Sequence, residues 1–194
     1  MNRRQLMMTL AAAFALPVLA ANPAAPLPRT SLYQTKVQFT DAQSRPFAWS
    51  DKRGQPQIVS MFYSSCKFMC PMLIESAKAI EASLTPDERA RLGLTLISLD
   101  PKRDTPPVLA RMIREHGLDA SRWTLAQPAP KDVRAIAGLL GIRYRALADG
   151  EFNHTTVLVL LDAQGRIVAR TENMGGTADP AFLAALRKTL ASLD

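Results

Sequence analysis

The sequence predicts an α/β fold with a mixed central sheet, helices on both faces of that sheet and an N-terminal strand extension. Three observations carry this expectation. The runs 58–63, 94–99 and 156–161 are almost continuously apolar, as strands covered on both faces must be. Helix-periodic stretches follow the first two runs, and a helical crossover makes the strands it joins parallel. The last run ends in Asp162-Ala163-Gln164-Gly165 and is followed by another strand-like stretch, the pattern of an antiparallel hairpin.

Ahead of these elements, Arg3 and Arg4 precede an apolar run from Leu6 to Leu16, then Pro17 and Val18-Leu19-Ala20. A positive start, a short apolar middle and a small-residue end make up a cleaved export signal. The run is shorter than the roughly 20 apolar residues that a membrane-spanning helix needs. We therefore expect residues 1–20 as a signal peptide, 21–30 as a Pro/Ala-rich linker and 31–194 as one domain. The expected location is the periplasm, in preference to a membrane anchor. The formal net charge of the 194-residue chain is +7, and the leader removes Arg3 and Arg4 but no acid. No block of lysine and arginine suits a phosphate backbone, so nucleic acid is not an expected partner.

Within the domain, Leu32 to Thr40 alternates apolar and polar residues and predicts an edge strand. Ile58 to Tyr63 is a β-rich run after the turn at Gly54, leading into Ser64-Ser65-Cys66-Lys67-Phe68-Met69-Cys70-Pro71. Pro71 suits the first position of a helix, where no amide donor is needed, and Leu73, Ala77, Ile80 and Leu84 continue at helical spacing. The strand at 94–99 ends in Asp100-Pro101-Lys102-Arg103-Asp104-Thr105-Pro106. Thr105 and Pro106 open a helix with Leu109, Met112 and Ile113 on one face, stopped by Gly117. Residues 122–126 predict a short strand, 131–140 a helix ended by Gly141, and 142–145 a further strand. After the hairpin, Asp179-Pro180 opens a last helix with Phe182, Leu183, Leu186 and Leu190 on its buried face. This order completes a thioredoxin-like plan. In such sheets the working crevice lies beyond the carboxyl ends of the strands, and both Cys66 and Asp100 leave such ends.

Cys66 and Cys70 are the chain's two cysteines. A structural disulfide across three residues closes a very short loop and gains little loop entropy, so a redox-active or metal-binding pair is the stronger expectation. A helix start and the nearby cation of Lys67 both favour thiolate, the reactive form. Two thiolates and an imidazole suit copper, whereas structural zinc takes four protein ligands. Of the two histidines, His116 sits at a helix end, where a cation meets the helix dipole favourably. His154, just before the last apolar strand, falls where this plan returns the chain beside the cysteine turn. Met69 and Met72 offer thioethers but are expected to pack the helix start; Trp49, Phe62 and Trp123 are expected in the core or at its rim.

Phe62 to Pro71, Ser98 to Pro106, and Asn153-His154-Thr155 ahead of Leu160-Leu161-Asp162 and Gly165 together resemble the Sco/SenC family, over residues 31–194. The resemblance implies a copper-binding protein of thioredoxin fold that assists assembly of the copper centre of cytochrome c oxidase. It carries metal ligation onto Cys66, Cys70 and His154 and places Asp100 beside the site. Lys67 departs from it, because family members often carry proline there. Three functions remain open at this stage: a copper metallochaperone, a thiol-disulfide oxidoreductase, and a redox- or copper-sensing interaction module. The expected partners are an apo-cuproprotein client, such as a cytochrome c oxidase subunit, and an exported thioredoxin-like reductant.

Overall fold

A computed structural model describes residues 26–193. The signal peptide expected at 1–20 and the first half of the linker lie outside them. Among the described residues no helix is long and apolar enough to cross a membrane.

Three strands form the centre. β3 (Gln57–Phe62) runs parallel to β4 (Gly93–Ser98), and β4 parallel to β5 (Trp123–Pro128). Every residue of β3 and β4 is buried. Because successive side chains point to opposite faces, this means that both faces of the sheet are covered. β8 (Leu158–Leu161) joins β3 antiparallel, and β9 (Ile167–Thr171) pairs with β8. On the other side β1 (Gln38–Asp41) pairs antiparallel with β5 and carries the edge strand β2 (Pro46–Ala48). The seven-stranded order is β2-β1-β5-β4-β3-β8-β9. The expected mixed sheet is therefore present. A separate two-stranded sheet pairs β6 (Tyr144–Ala146) with β7 (Phe152–His154).

Among the described residues there are five α-helices, four of which bury residues against the sheet. α1 (Met69–Ala82) buries Cys70, Leu73, Ile74, Ala77 and Ile80. α2 (Pro86–Ala90) is opened by a reciprocal capping box, with Glu88 N donating to the Thr85 hydroxyl and Thr85 N to the Glu88 carboxylate. α3 (Pro106–Glu115) buries the expected Leu109, Met112 and Ile113. α4 (Val133–Leu139) follows a short 3-10 turn, and α5 (Pro180–Ala191) buries Phe182, Leu186 and Leu190. Asp179 caps α5 and accepts a 2.6 Å hydrogen bond from the Thr171 hydroxyl at the end of β9. Trp49, Phe62 and Trp123 are core residues, Trp49 edge-on to Phe39 at 5.7 Å between ring centroids.

Two expectations need correction. The strand expected over Leu32–Thr40 begins only at Gln38; Leu32–Gln34 is a 3-10 turn instead. Ser31 caps this turn, and tertiary contact holds it in place. Leu32 N donates to Gly165 O at 2.9 Å, and the Ser31 hydroxyl to Gln164 O at 2.5 Å. The helix expected to begin at Pro71 begins at Met69.

Gly165 serves both the β8–β9 turn and this docking. Its φ is +77°, and an added Cβ would stand 2.6 Å from the Tyr33 ring. A Gly165→Ala variant should lose about 1–3 kcal/mol of stability from overpacking and left-handed strain. Urea unfolding with an unchanged m-value checks it.

Candidate metal and redox site

β3 ends at Phe62, residues 63–68 turn, and α1 starts at Met69. Phe68 occupies the cap position but offers α1 no side-chain acceptor, so the first helical amides must find other partners. The sulfur of Cys66 supplies one: Cys70 N donates to Cys66 Sγ at 3.3 Å. Both cysteines are free thiols, Cys66 half-buried and Cys70 buried.

The two thiols differ in character. Burial pushes Cys66 up, but donors from Cys70, Phe68 N and the Tyr63 hydroxyl outweigh it and hold the thiol below its usual range. For Cys70, burial dominates and drives the thiol far up, with the charge of Cys66 acting in the same direction. Cys66 is thus the more accessible and more readily ionised thiol, and Cys70 the buried one in reserve. The expected helix-start effect on the pair is present for Cys66 and reversed by burial for Cys70.

Cys66 opens into a hollow lined by Tyr63, Lys67, Phe68, Met69 and Glu151. Met69 and Met72, expected to pack the helix start, are instead 41% and 44% exposed. The inner face of α1 is filled by Cys70, Leu73 and Ile74, which leaves the thioethers outside.

His154 ends β7 and pairs with Tyr144 across the small hairpin. Its Nδ1 lies 3.1 Å from Thr155 O. A carbonyl can only accept, so Nδ1 carries the proton and Nε2 keeps the lone pair that a metal would use. Burial lowers the imidazole's pKa and so keeps it neutral. The ring packs edge-on to Tyr63 at 5.8 Å between centroids. The Tyr63 hydroxyl also lies 3.3 Å from Phe152 O. That hydroxyl has one proton and three acceptors around it, the Phe152 carbonyl, the Cys66 sulfur and the Glu151 carboxylate. Tyr63 therefore touches both His154 and Cys66. Among the described residues no three His, Cys, Asp or Glu side chains stand together as a preformed metal site. The structure brings Cys66 and Cys70 together and sets His154 against the adjoining Tyr63.

Asp100 is nearly buried, paired with Arg103, whose guanidinium also reaches Gly150 O. Through that arginine it ties the turn after β4 to the loop before β7, and among the described residues it has no hydrogen bond to either cysteine. The acid at the cysteine turn is Asp104, not Asp100. It is fully buried, accepts Ser64 N at 3.1 Å and the Ser98 hydroxyl at 2.5 Å, and its charge bears on Cys70. Burial raises its carboxyl above the usual range, with Ser64 and Ser98 only partly offsetting this.

A family model described as SCO1/SenC matches residues 26–191. A protein of Stutzerimonas stutzeri, described as a candidate copper-binding protein, is 28% identical over 74 residues, 38% of this chain. That match spans 36% of the relative's length. A SCO1/SenC family lipoprotein from Bacillus anthracis superposes with a TM-score of 0.71 at 20% identity, covering 83% of this chain and 98% of that one. The structure of Bradyrhizobium japonicum ScoI with copper bound gives 0.62 at 19% identity, over 79% and 96% of the two chains. At such identities the structural likeness speaks for the thioredoxin-like fold, which this chain shares.

Proposed function

The chain belongs to the SCO1/SenC family, and from that premise we propose that it is a periplasmic copper metallochaperone whose cargo is held by Cys66, Cys70 and His154. The observation that carries the proposal is the free cysteine pair at the β3–α1 junction, one sulfur already accepting a helix amide. The donor set fits the cargo: two soft sulfurs and a neutral imidazole with Nε2 free suit copper. Copper-bound relatives and the curated copper-binding relative support the choice of metal. His154 completes the set by moving past Tyr63, and its hairpin is bonded to itself, not to the main sheet. The client is an apo-cuproprotein, such as the subunit carrying the copper centre of cytochrome c oxidase. Because the periplasm is kept oxidising, the pair is loaded after an exported thioredoxin-like reductant has kept it open.

The unequal thiols favour a second reading, a thiol-disulfide oxidoreductase acting on client cysteines. Cys66 thiolate attacks a client disulfide, forming a mixed disulfide and releasing one client thiolate. Cys70 then gives up its proton and attacks Cys66, releasing the second client thiolate and leaving a Cys66–Cys70 disulfide for the reductant to reopen. His154 has no part in that sequence.

A client assay separates the two. In cells lacking the protein, an added thiol reductant alone is expected not to restore client metallation, and neither is a His154→Ala variant. Rescue by reductant alone would overturn copper delivery and leave the oxidoreductase.

A further inference from the structure

A single exposed apolar side chain is ordinary, but several clustered together mark contact with something outside the protein. Among the described residues six such side chains are exposed, and three of them, Phe68, Met69 and Met72, cluster where α1 begins. The inner face of this helix is already occupied by Cys70, Leu73, Ile74 and Ala77. Met69 and Met72 stand at i and i+3, neighbours on one helix face. Met69 also lines the hollow into which Cys66 opens. Soft sulfur is thus exposed at Met72 and Met69 on the helix face, and Met69 shares with the half-buried Cys66 the hollow in front of buried Cys70.

We propose that Met69 and Met72 form an entry and exit site for monovalent copper, passing the ion to and from Cys66. The proposal rests on the copper reading for its cargo and adds a second, weaker site outside the ligand set. Thioether sulfur is a soft donor suited to Cu(I). It is neutral and bears no proton, so the ion moves onto or off Met69 and Met72 with its single charge unchanged and no electron transferred. At the thiolate of Cys66 a stronger bond replaces the weaker ones, again without redox change. Entry by thioethers gives a direction to transfer: loose ligands outside, tight ligands within. Phe68, 78% exposed, lines the same hollow as Met69 and Cys66 and supplies it with an apolar flank.

The test uses the full chain carrying methyl-labelled methionine, with Cys66→Ser and Cys70→Ser in place so that no thiolate competes. Ag(I) serves as a redox-inert monovalent probe. The methyl resonances of Met69 and Met72 are expected to shift on titration, while those of buried Met61 and Met112 stay in place. Absence of a selective shift overturns the site. A second measurement needs no cysteine change: Met69→Leu with Met72→Leu keeps the apolar surface but removes both thioethers. Transfer of Cu(I) from this variant to a competing chelator should slow by about tenfold, with affinity at equilibrium changed by less than about threefold. Unchanged transfer rates would assign the patch to apolar docking and overturn the proposal. If copper fails to bind Cys66 and Cys70 at all, the Ag(I) shifts still report on the thioethers, so the two ideas fail separately.

Discussion

Cys66→Ser and Cys70→Ser are each expected to reduce copper binding to the limit of detection, while His154→Ala should weaken it by about a hundredfold, or ~2.7 kcal/mol. Serine is a hard oxygen donor in place of a soft thiolate, so each cysteine change removes a ligand of the type copper prefers. The histidine change removes one donor and leaves the sulfur pair, whose approach does not depend on His154: Cys70 N meets Cys66 Sγ within the helix start itself. The spectra should differ accordingly. In the Cu(II) form, sulfur-to-copper charge transfer disappears with either cysteine but only moves with His154→Ala. Competition titration against a Cu(I) chelator gives the affinities. An unaltered affinity and spectrum for His154→Ala would exclude the imidazole from the ligand set and leave it as a packing partner of Tyr63.

The second large effect is expected at Asp104. Its carboxylate satisfies Ser64 N, on a half-buried residue, and the buried Ser98 hydroxyl. Asp104→Ala leaves two donors without partners and should cost about 2–4 kcal/mol, since each orphaned buried group costs ~1–3 kcal/mol. Asp104→Asn can accept from Ser64 while its amide faces Ser98, so its loss should be under about half as large. The pH dependence adds a separate sign. Burial raises this carboxyl in the folded state. The folded protein therefore holds the proton more tightly, and the resulting stability is fully present below the unfolded value and lost as pH rises through the folded one. Both variants should erase that component, leaving a flatter stability curve across the weakly acidic range. Urea unfolding across that range measures it, and equal losses for Ala and Asn at neutral pH would sink the hydrogen-bond account.

How much of this was legible in the sequence differs from element to element. β3, β4 and β8 are covered on both faces, so their apolar runs needed no context to be recognised. The cysteine turn was equally plain, because its position follows from the strand before it. Leu32–Gln34 misled because its alternation fits a strand, whereas its burial comes from docking on the Gly165 turn far along the chain. β7 has three residues, too few for any period to show. α2 was missed although its signal was there: Thr85-Pro86-Asp87-Glu88 is a capping box ahead of a short helix. Asp100 and Asp104 occupy one tight turn, and sequence alone does not say which faces inward. The fold gives the cysteine loop to Asp104 and leaves Asp100 to Arg103. Met69 and Met72 were misplaced for a related reason: helical spacing sets which residues share a face, but neighbouring elements decide which face is covered.

The hairpin of β6 and β7 forms its own ladder, outside the seven-stranded sheet. A two-stranded ribbon is marginal by itself. What retains this one is contact with the cysteine turn and with Arg103: Phe152 and His154 pack on Tyr63 at 5.1 and 5.8 Å, the Tyr63 hydroxyl meets Phe152 O, Ser65 meets Glu151, and the Arg103 guanidinium reaches Gly150 O. Its opening free energy is therefore set by a few local contacts and is separable from that of the domain, which makes it a low-stability cooperative unit on a stable base. An ion bound by the cysteines and His154 together would be gripped by two parts of unequal stiffness. Its residence time would then be governed by how often the ribbon lifts, while the core that fixes the sulfurs stays folded throughout.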